Sequence, residues 1–216
     1  MSFFRILLAL LLVSGAARAQ TTAPMPAPVV RLDAAAHARS VADFQRELNH
    51  EFSDPKQSPL PPRERREFTA LPYYPVSYAH YVLAHLVRDS TSAPFAMVTS
   101  SARRPQYRKY GELHFTLEGQ PLKLSVYQDQ EPLTRPDLAD YLFLPFTDGT
   151  NGHGSYGGGR FIDLRIPPKG TGDLLLLDFN RAYNPSCAYS AGYSCPVPPA
   201  ENRLSGSVPA GVRSDH

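Results

Sequence analysis

The chain of 216 residues has no tryptophan, two cysteines and three methionines, and only 19% of its residues are charged. Two cysteines cannot supply the thiolates of a four-cysteine zinc site, and the seven histidines do not make up the difference. No His-x-His or His-x-x-x-His occurs, and His80 and His85 stand an odd number apart, on opposite sides of any strand that carries both. Zinc is disfavoured, and no metal site is assigned. Net charge is +2 with both signs mixed, so the basic footprint of a nucleic-acid binder is missing. No Gly-Lys-Ser/Thr is present for a P-loop. The apolar run from Ile6 to Val13 is far short of the roughly 20 residues that span a bilayer, so no membrane span is expected in the mature chain. There are no heptads and no repeats of solenoid length.

That short run has another reading. Arg5, the apolar stretch and Ala17-Arg18-Ala19 follow one another as in a secretory signal, which predicts residues 1–19 as a signal peptide and Gln20 as the first mature residue. The chain is then periplasmic or secreted. Residues 20–38 are rich in alanine and proline and read as a flexible linker, leaving residues 39–212 as a single domain.

The 22 prolines, 14 glycines, 12 tyrosines and 11 phenylalanines point to a loop-rich β protein. Ser40 starts a capping-box pattern, and Val41, Phe44, Leu48 and Phe52 recur on one helical face, predicting a helix from Val41 to Glu51. The charged run Arg63 to Glu67 reads as a solvated face. The period then changes to two. Strands are expected over residues 78–88, 95–100, 111–117, 122–127, 142–146, 158–166 and 173–179. The clearest hairpin turns at Glu118-Gly119, which sets Phe115 opposite Leu122 and Leu113 opposite Leu124. Pro121 then argues that its strand is an edge or loses its far neighbour early. The expected fold is a mainly antiparallel β barrel or sandwich of about seven or eight strands, with one N-terminal helix packed across it.

The candidate site lies between Asp148 and Leu204, where Asp, Asn and Tyr alternate with Gly and Pro. Loops with fixed backbones are where binding groups tend to sit. Gly152 to Gly157 matches G-x-G-x-x-G, but more glycines and a strand follow instead of a helix, so no nucleotide and no other cofactor is expected. Asp163, Asp178 and Glu201 are the candidate catalytic carboxylates, since a close pair supplies an acid and a base. With Asn180 or Asn202, three converging carboxylates would also have the oxygen ligands of a hard cation. Ser155, Tyr156, Arg160, Asn180, Tyr183, Asn184, Tyr189 and Asn202 are the candidate ligand-binding residues. Against this stands a structural reading, in which Asp178 and Asn180 cap turns while Glu201 and Arg160 form a structural pair. Cys187 and Cys195 are expected to form a disulfide in an oxidising compartment, with two free thiols as the alternative. The leading function is binding of a small molecule or glycan in a polar, aromatic-lined pocket. A hydrolase using paired carboxylates and a structural envelope protein are the alternatives.

Leu144 to Thr150, Ser155 to Arg160 with Asp163, Leu177-Asp178-Phe179-Asn180, Ala182-Tyr183-Asn184-Pro185, Cys187-Ala188-Tyr189 and Cys195 to Asn202 together resemble the domain-of-unknown-function family 1684 of bacteria and archaea. Upstream the resemblance extends through Ser58-Pro59-Leu60, Phe68, Leu71, Tyr73 and Met97 to Ser100. It implies one domain and a shared role for the block after Asp148, but no activity, cofactor or partner. The chain departs from the pattern at Ala210-Gly211-Val212, where the family has Ala-Gly-Glu.

Overall fold

The computed structural model describes residues 29–130, 138–168 and 171–214. The expected signal peptide and the first part of the linker lie outside these residues.

Helix α1 runs from Ala34 to Ser53, seven residues ahead of the expected start, so residues 34–38 are helical rather than linker. Its cap is Asp33, not Ser40: the Asp33 carboxylate accepts the amide of Ala36 at 2.7 Å. Three consecutive alanines, the best helix formers, then carry the first turn. His37, one turn before Val41, belongs to the buried face, and as a polar residue it hid the earlier start of the amphipathic pattern. The charged run forms a second, one-and-a-half-turn helix, α2 (Pro62–Glu67), with no buried residue.

Seven antiparallel strands follow: β1 (Tyr81–Arg88), β2 (Phe95–Ala96), β3 (Gln106–Leu117), β4 (Gln120–Asp129), β5 (Tyr141–Phe146), β6 (Arg160–Arg165) and β7 (Leu174–Asp178). They form one sheet in the order β6-β5-β4-β3-β1-β7, with β2 added beside β3. The sheet curls into a half-barrel. The β3–β4 hairpin has the expected register, with Phe115 opposite Leu122 and Leu113 opposite Leu124. Glu118 (φ 51°) and Gly119 (φ 78°) both take the left-handed conformation that a tight hairpin turn requires. Pro121 falls in the part of β4 that β5 does not reach, since those two strands pair only through Tyr127 and Phe143. Near Gly111 the register of β3 shifts, and a Cβ there would stand 2.4 Å from the Val87 carbonyl of β1.

The inner face of the sheet carries Leu86, Leu113, Leu124, Val126, Leu142, Leu144, Ile162 and Leu177. Phe179, Ala182, Leu204, Val208 and Ala210, from the irregular C-terminal chain, complete this core. Each fully buried aliphatic side chain contributes about 1.5–3 kcal/mol relative to exposure. Strands β6 and β7 are consecutive in the chain yet occupy opposite edges of the sheet. Because the sheet curls, residues of both edges line one cleft of about 260 Å³ beneath the start of α1. Among the described residues, no helix is long and apolar enough to cross a membrane.

Candidate functional site

The glycine-rich loop is built as a clamp. Arg160 opens β6 facing inward and is fully buried. Its Nη2 donates to the Asp148 carboxylate at 2.6 Å and to the Val208 carbonyl at 2.9 Å, and its Nη1 donates to the Ala210 carbonyl. The other oxygen of Asp148 accepts the amides of Thr150 (2.8 Å) and Val208 (3.1 Å). Ser155 is buried, with its hydroxyl 2.7 Å from that of Thr150. The tight approach depends on Gly159: its φ is 96°, and a Cβ there would meet the Phe146 carbonyl at 2.8 Å. Tyr156 lies over Gly158, where a Cβ would stand 2.4 Å from the ring. These groups pin the C-terminal chain inside the half-barrel.

The three candidate carboxylates do not gather at one point. Asp178 ends β7, where one oxygen accepts the amide of Asn180 at 3.1 Å and its side chain at 2.8 Å, and the other lies 2.9 Å from Nε2 of His37 on α1. Asn180 pairs with both backbone groups of Ser77 at 2.8 Å, anchoring the approach to β1. Glu201 sits elsewhere and does not pair with Arg160, whose carboxylate partner is Asp148; it accepts the Tyr127 hydroxyl at 2.8 Å beside Lys109 at 3.4 Å. Burial pushes the Glu201 carboxyl up, but bonds from Tyr127 and Ser125 and the charge of Lys109 bring it below the usual value. Next to it, Asn202 bridges the seam where β4 and β5 separate. Its amide accepts from Ser125 N (2.8 Å) and donates to Ser125 O (2.8 Å) and Pro145 O (2.6 Å). Asp163 and Asp178 do line the cleft between the sheet edges, with His37 and Arg181. Among the described residues, no group of three or more His, Cys, Asp or Glu side chains is placed to hold a metal ion.

A pocket of about 380 Å³ opens on the outer face of β5 and β6, under the last turns of α1. Leu48, Glu51 and Phe52 of α1 form one wall, and Tyr141 and Phe143 of β5 with Phe161 of β6 form the floor. Tyr107 of β3 closes one side, and the loop from Tyr183 to Pro196 closes the other. The loop is held twice. Tyr183 exchanges backbone hydrogen bonds with Phe161 at 2.9 and 3.0 Å, and Cys187 and Cys195 are joined by a disulfide. Tyr141 and Tyr183 both donate their hydroxyls to the same oxygen of Asp163 at 2.7 Å. Burial and the Asp163 charge push both phenols far above their ordinary pKa, so they stay protonated donors. Asn184 is 4% exposed, and its amide donates to the Tyr189 hydroxyl (3.2 Å) and the Arg213 carbonyl (3.3 Å) while Oδ1 has no partner. Tyr189 packs edge-on against Phe52 at 4.8 Å, and burial pushes its phenol up to about 12. Glu51 stands at the rim with its carboxyl raised by burial and by the nearby charges of Glu47 and Asp163.

Of the residues singled out in the sequence, Tyr183 and Asn184 line this pocket with Cys195, and Asp163 backs it through the two phenols. Arg160, Ser155, Asn180 and Asn202 serve the framework. Tyr193, an aromatic of the block after Asp148, lines the pocket as well, whereas Tyr107, Tyr141, Phe143, Phe161 and Glu51 were not legible as site residues, because each sits in a strand or helix where packing accounts for it. The usable signal was Tyr141 and Phe143 alternating with inward-facing Leu142 and Leu144: aromatics on the outer face of a strand call for a cover.

The sequence model of the family described as "Protein of unknown function (DUF1684)" matches residues 66–213, and the chain belongs to that family. The match starts after α1, so the Leu48, Glu51 and Phe52 wall lies outside it. Among solved structures, an uncharacterized protein of Haloarcula marismortui, determined by solution NMR, is 34% identical and aligns with a TM-score of 0.66 over 85% of this chain and 97% of its own. Among curated proteins, none matches this chain.

Proposed function

We propose that this DUF1684 protein is an exported binding domain that holds a small molecule or one unit of a glycan in the aromatic pocket beneath α1. The observation that carries this reading is a cavity of about 380 Å³ walled by Tyr107, Tyr141, Phe143, Phe161, Tyr183 and Tyr193, with the Tyr141 and Tyr183 hydroxyls fixed by Asp163. Ligand sites have this make-up, apolar surface with a few fixed polar atoms, and a volume in this range. Export is supported by the signal-like N-terminus and by the disulfide. N-terminal sequencing of the secreted protein should start at Gln20.

The hydrolase reading has one observation in its favour, the shared cleft of Asp163, Asp178 and His37. Both carboxylates, however, are already engaged by hydrogen-bond donors of the protein itself. The binding reading therefore leads. A metabolite and oligosaccharide set screened by thermal shift tests it: a ligand at 100 times its Kd adds about 2.7 kcal/mol, a rise of roughly 5–10 °C for a domain this size. Filling the pocket with Ser186→Trp should remove that rise. A rise that survives in Ser186→Trp, or none with any compound, refutes the assignment.

A further inference from the structure

We propose that His85 and His114 form a site for an exchangeable first-row transition-metal dication, copper(II) most tightly, on the outer face of the sheet. The site is independent of the pocket beneath α1, with which its groove shares no lining residue. His85 of β1 and His114 of β3 are direct partners in the antiparallel ladder. Side chains at such a pair leave the same face with Cβ atoms about 4.5–5.5 Å apart. A metal takes imidazole nitrogens at about 2.0–2.1 Å, so the two donors must come within roughly 3 Å of each other, which rings at this spacing reach by rotation of χ1 and χ2. Both side chains are exposed and border one groove, so an ion reaches them from solvent. Neither strand is an edge: β3 lies between β4 and β1, and β1 between β3 and β7, which fixes the two Cβ positions. No spacing in the sequence reports this pair, since only the register of β1 on β3 sets the two side by side.

The surroundings suit imidazole ligation. Nε2 of His114 lies 3.3 Å from the Glu112 carboxylate, two residues earlier on the same face of β3. A carboxylate there draws the ring hydrogen to Nε2 and leaves the Nδ1 lone pair for the metal, as in carboxylate–histidine–metal arrangements. Among the described residues, none hydrogen-bonds to the His85 ring. The cations nearby are matched. Lys123, opposite His114 on β4, lies 3.1 Å from Glu112, Lys109 lies 2.9 Å from it, and Arg31 donates to the Tyr78 and Tyr81 carbonyls. Two imidazoles are the only protein ligands and water completes the coordination, in keeping with the absence of any three-residue cluster among the described residues. Such a site binds in exchange with solvent rather than as a closed structural centre, which takes four protein ligands. Imidazole nitrogen favours copper, nickel and zinc over magnesium and calcium, which take oxygen, and among the first-row dications affinity peaks at copper.

The test titrates Cu²⁺, and separately Mg²⁺, into the full mature protein at pH 7, with NMR to locate the ion and calorimetry to give Kd. Paramagnetic Cu²⁺ at a small fraction of one equivalent should broaden the resonances of His85, His114 and their strand neighbours first, and Mg²⁺ should move none of them. His85→Ala and His114→Ala should each raise the Kd for Cu²⁺ by more than about tenfold, and Glu112→Gln by roughly tenfold, the low end of what losing the group that orients a ligand imidazole costs. His153→Ala, an exposed histidine of the glycine-rich loop, should leave Kd unchanged. All four substitutions are on the surface or half-buried, and amide spectra that match the wild type away from each site show that the fold is intact. No broadening in the wild type, broadening centred on another histidine, an unchanged Kd in His85→Ala or His114→Ala, or an equal loss in His153→Ala would each overturn the assignment.

Discussion

Asp148→Asn probes the clamp that holds the C-terminal chain. Both Asp148 and Arg160 side chains are fully buried, and 2.6 Å separates the carboxylate from Nη2. In the variant, Oδ1 still accepts the Thr150 and Val208 amides, so the new NH₂ must take the place of Oδ2. A donor then faces a donor, and a buried guanidinium loses its only carboxylate partner among the described residues. Breaking a buried pair from one side costs about 3–5 kcal/mol. For a domain of this size that lowers the melting temperature by roughly 10 °C or more. Asp178→Asn is the control. Asn keeps the oxygen that accepts from Asn180, its new NH₂ faces His37, and His37 can accept by moving its hydrogen to Nδ1. The neighbouring Arg181 is half exposed and 3.5 Å away, so water solvates it. A loss of about 1–2 kcal/mol is expected, the scale of one weakened hydrogen bond. Urea unfolding of the two variants gives the comparison, and equal losses, or a loss below about 1 kcal/mol for Asp148→Asn, would refute the clamp.

Asn202→Ala removes the bridge between β4 and β5 and strands three buried backbone groups, two on Ser125 and one on Pro145. It should cost about 2–4 kcal/mol and speed hydrogen exchange at the Ser125 amide, while unchanged exchange there would show that the seam closes without it. Opening the Cys187–Cys195 loop with Cys→Ala at both positions should cost about 2.5 kcal/mol, as the chain-entropy model gives for a loop this short, and thermal melts under non-reducing conditions check it. Glu112 lies 2.9 Å from Lys109 and 3.1 Å from Lys123, and those bonds push its carboxyl down from 4.5 to about 2. Its folded pKa is the lower one, so the stability it contributes is present above about pH 4.5 and is lost as pH falls towards 2. Lys123 is largely exposed and the Lys109 and Glu112 side chains keep about a quarter of their surface, so solvent screening holds the effect to about 1 kcal/mol. The stability gap between wild type and Glu112→Gln should shrink across that window, and a constant gap would rule the linkage out.

The hairpin shows what a sequence states directly. Alternation in two neighbouring strands and a Glu-Gly turn leave one register that puts Phe115, Leu122, Leu113 and Leu124 on one side, and the sheet adopts it. Two other features were hidden for physical reasons. The start of α1 was hidden because its first buried residue is His37, whose polarity masks a place on the apolar face until its partner Asp178 is known. Asp163 and Asp178 follow one another on consecutive strands, but β6 and β7 sit at opposite edges, and only the curl of the sheet returns them to one cleft. Chain order does not report sheet order.

The density of Asp, Asn, Ser and Gly after residue 147 has a common cause that composition alone cannot separate from a binding site. From Phe179 onward the chain forms no sheet strand, yet it fills the inside of the half-barrel. Buried backbone outside ladders needs side-chain partners, since an unpaired buried carbonyl or amide costs about 1–3 kcal/mol. Arg160 serves Val208 and Ala210, Asp148 serves Val208, Asn180 serves Ser77, and Asn202 serves Ser125 and Pro145. An interior irregular chain and a ligand site thus draw on the same residue types, because both need hydrogen-bonding groups held by fixed loops. What separates the two is whether open space remains beside the groups. The clamp and bridge bonds lie in filled interior, whereas Tyr141, Phe143, Phe161 and Tyr183 wall a cavity of about 380 Å³. That difference, rather than polarity or glycine content, is the reason the proposed site is the space beneath α1 and the glycine-rich loop is assigned to the framework.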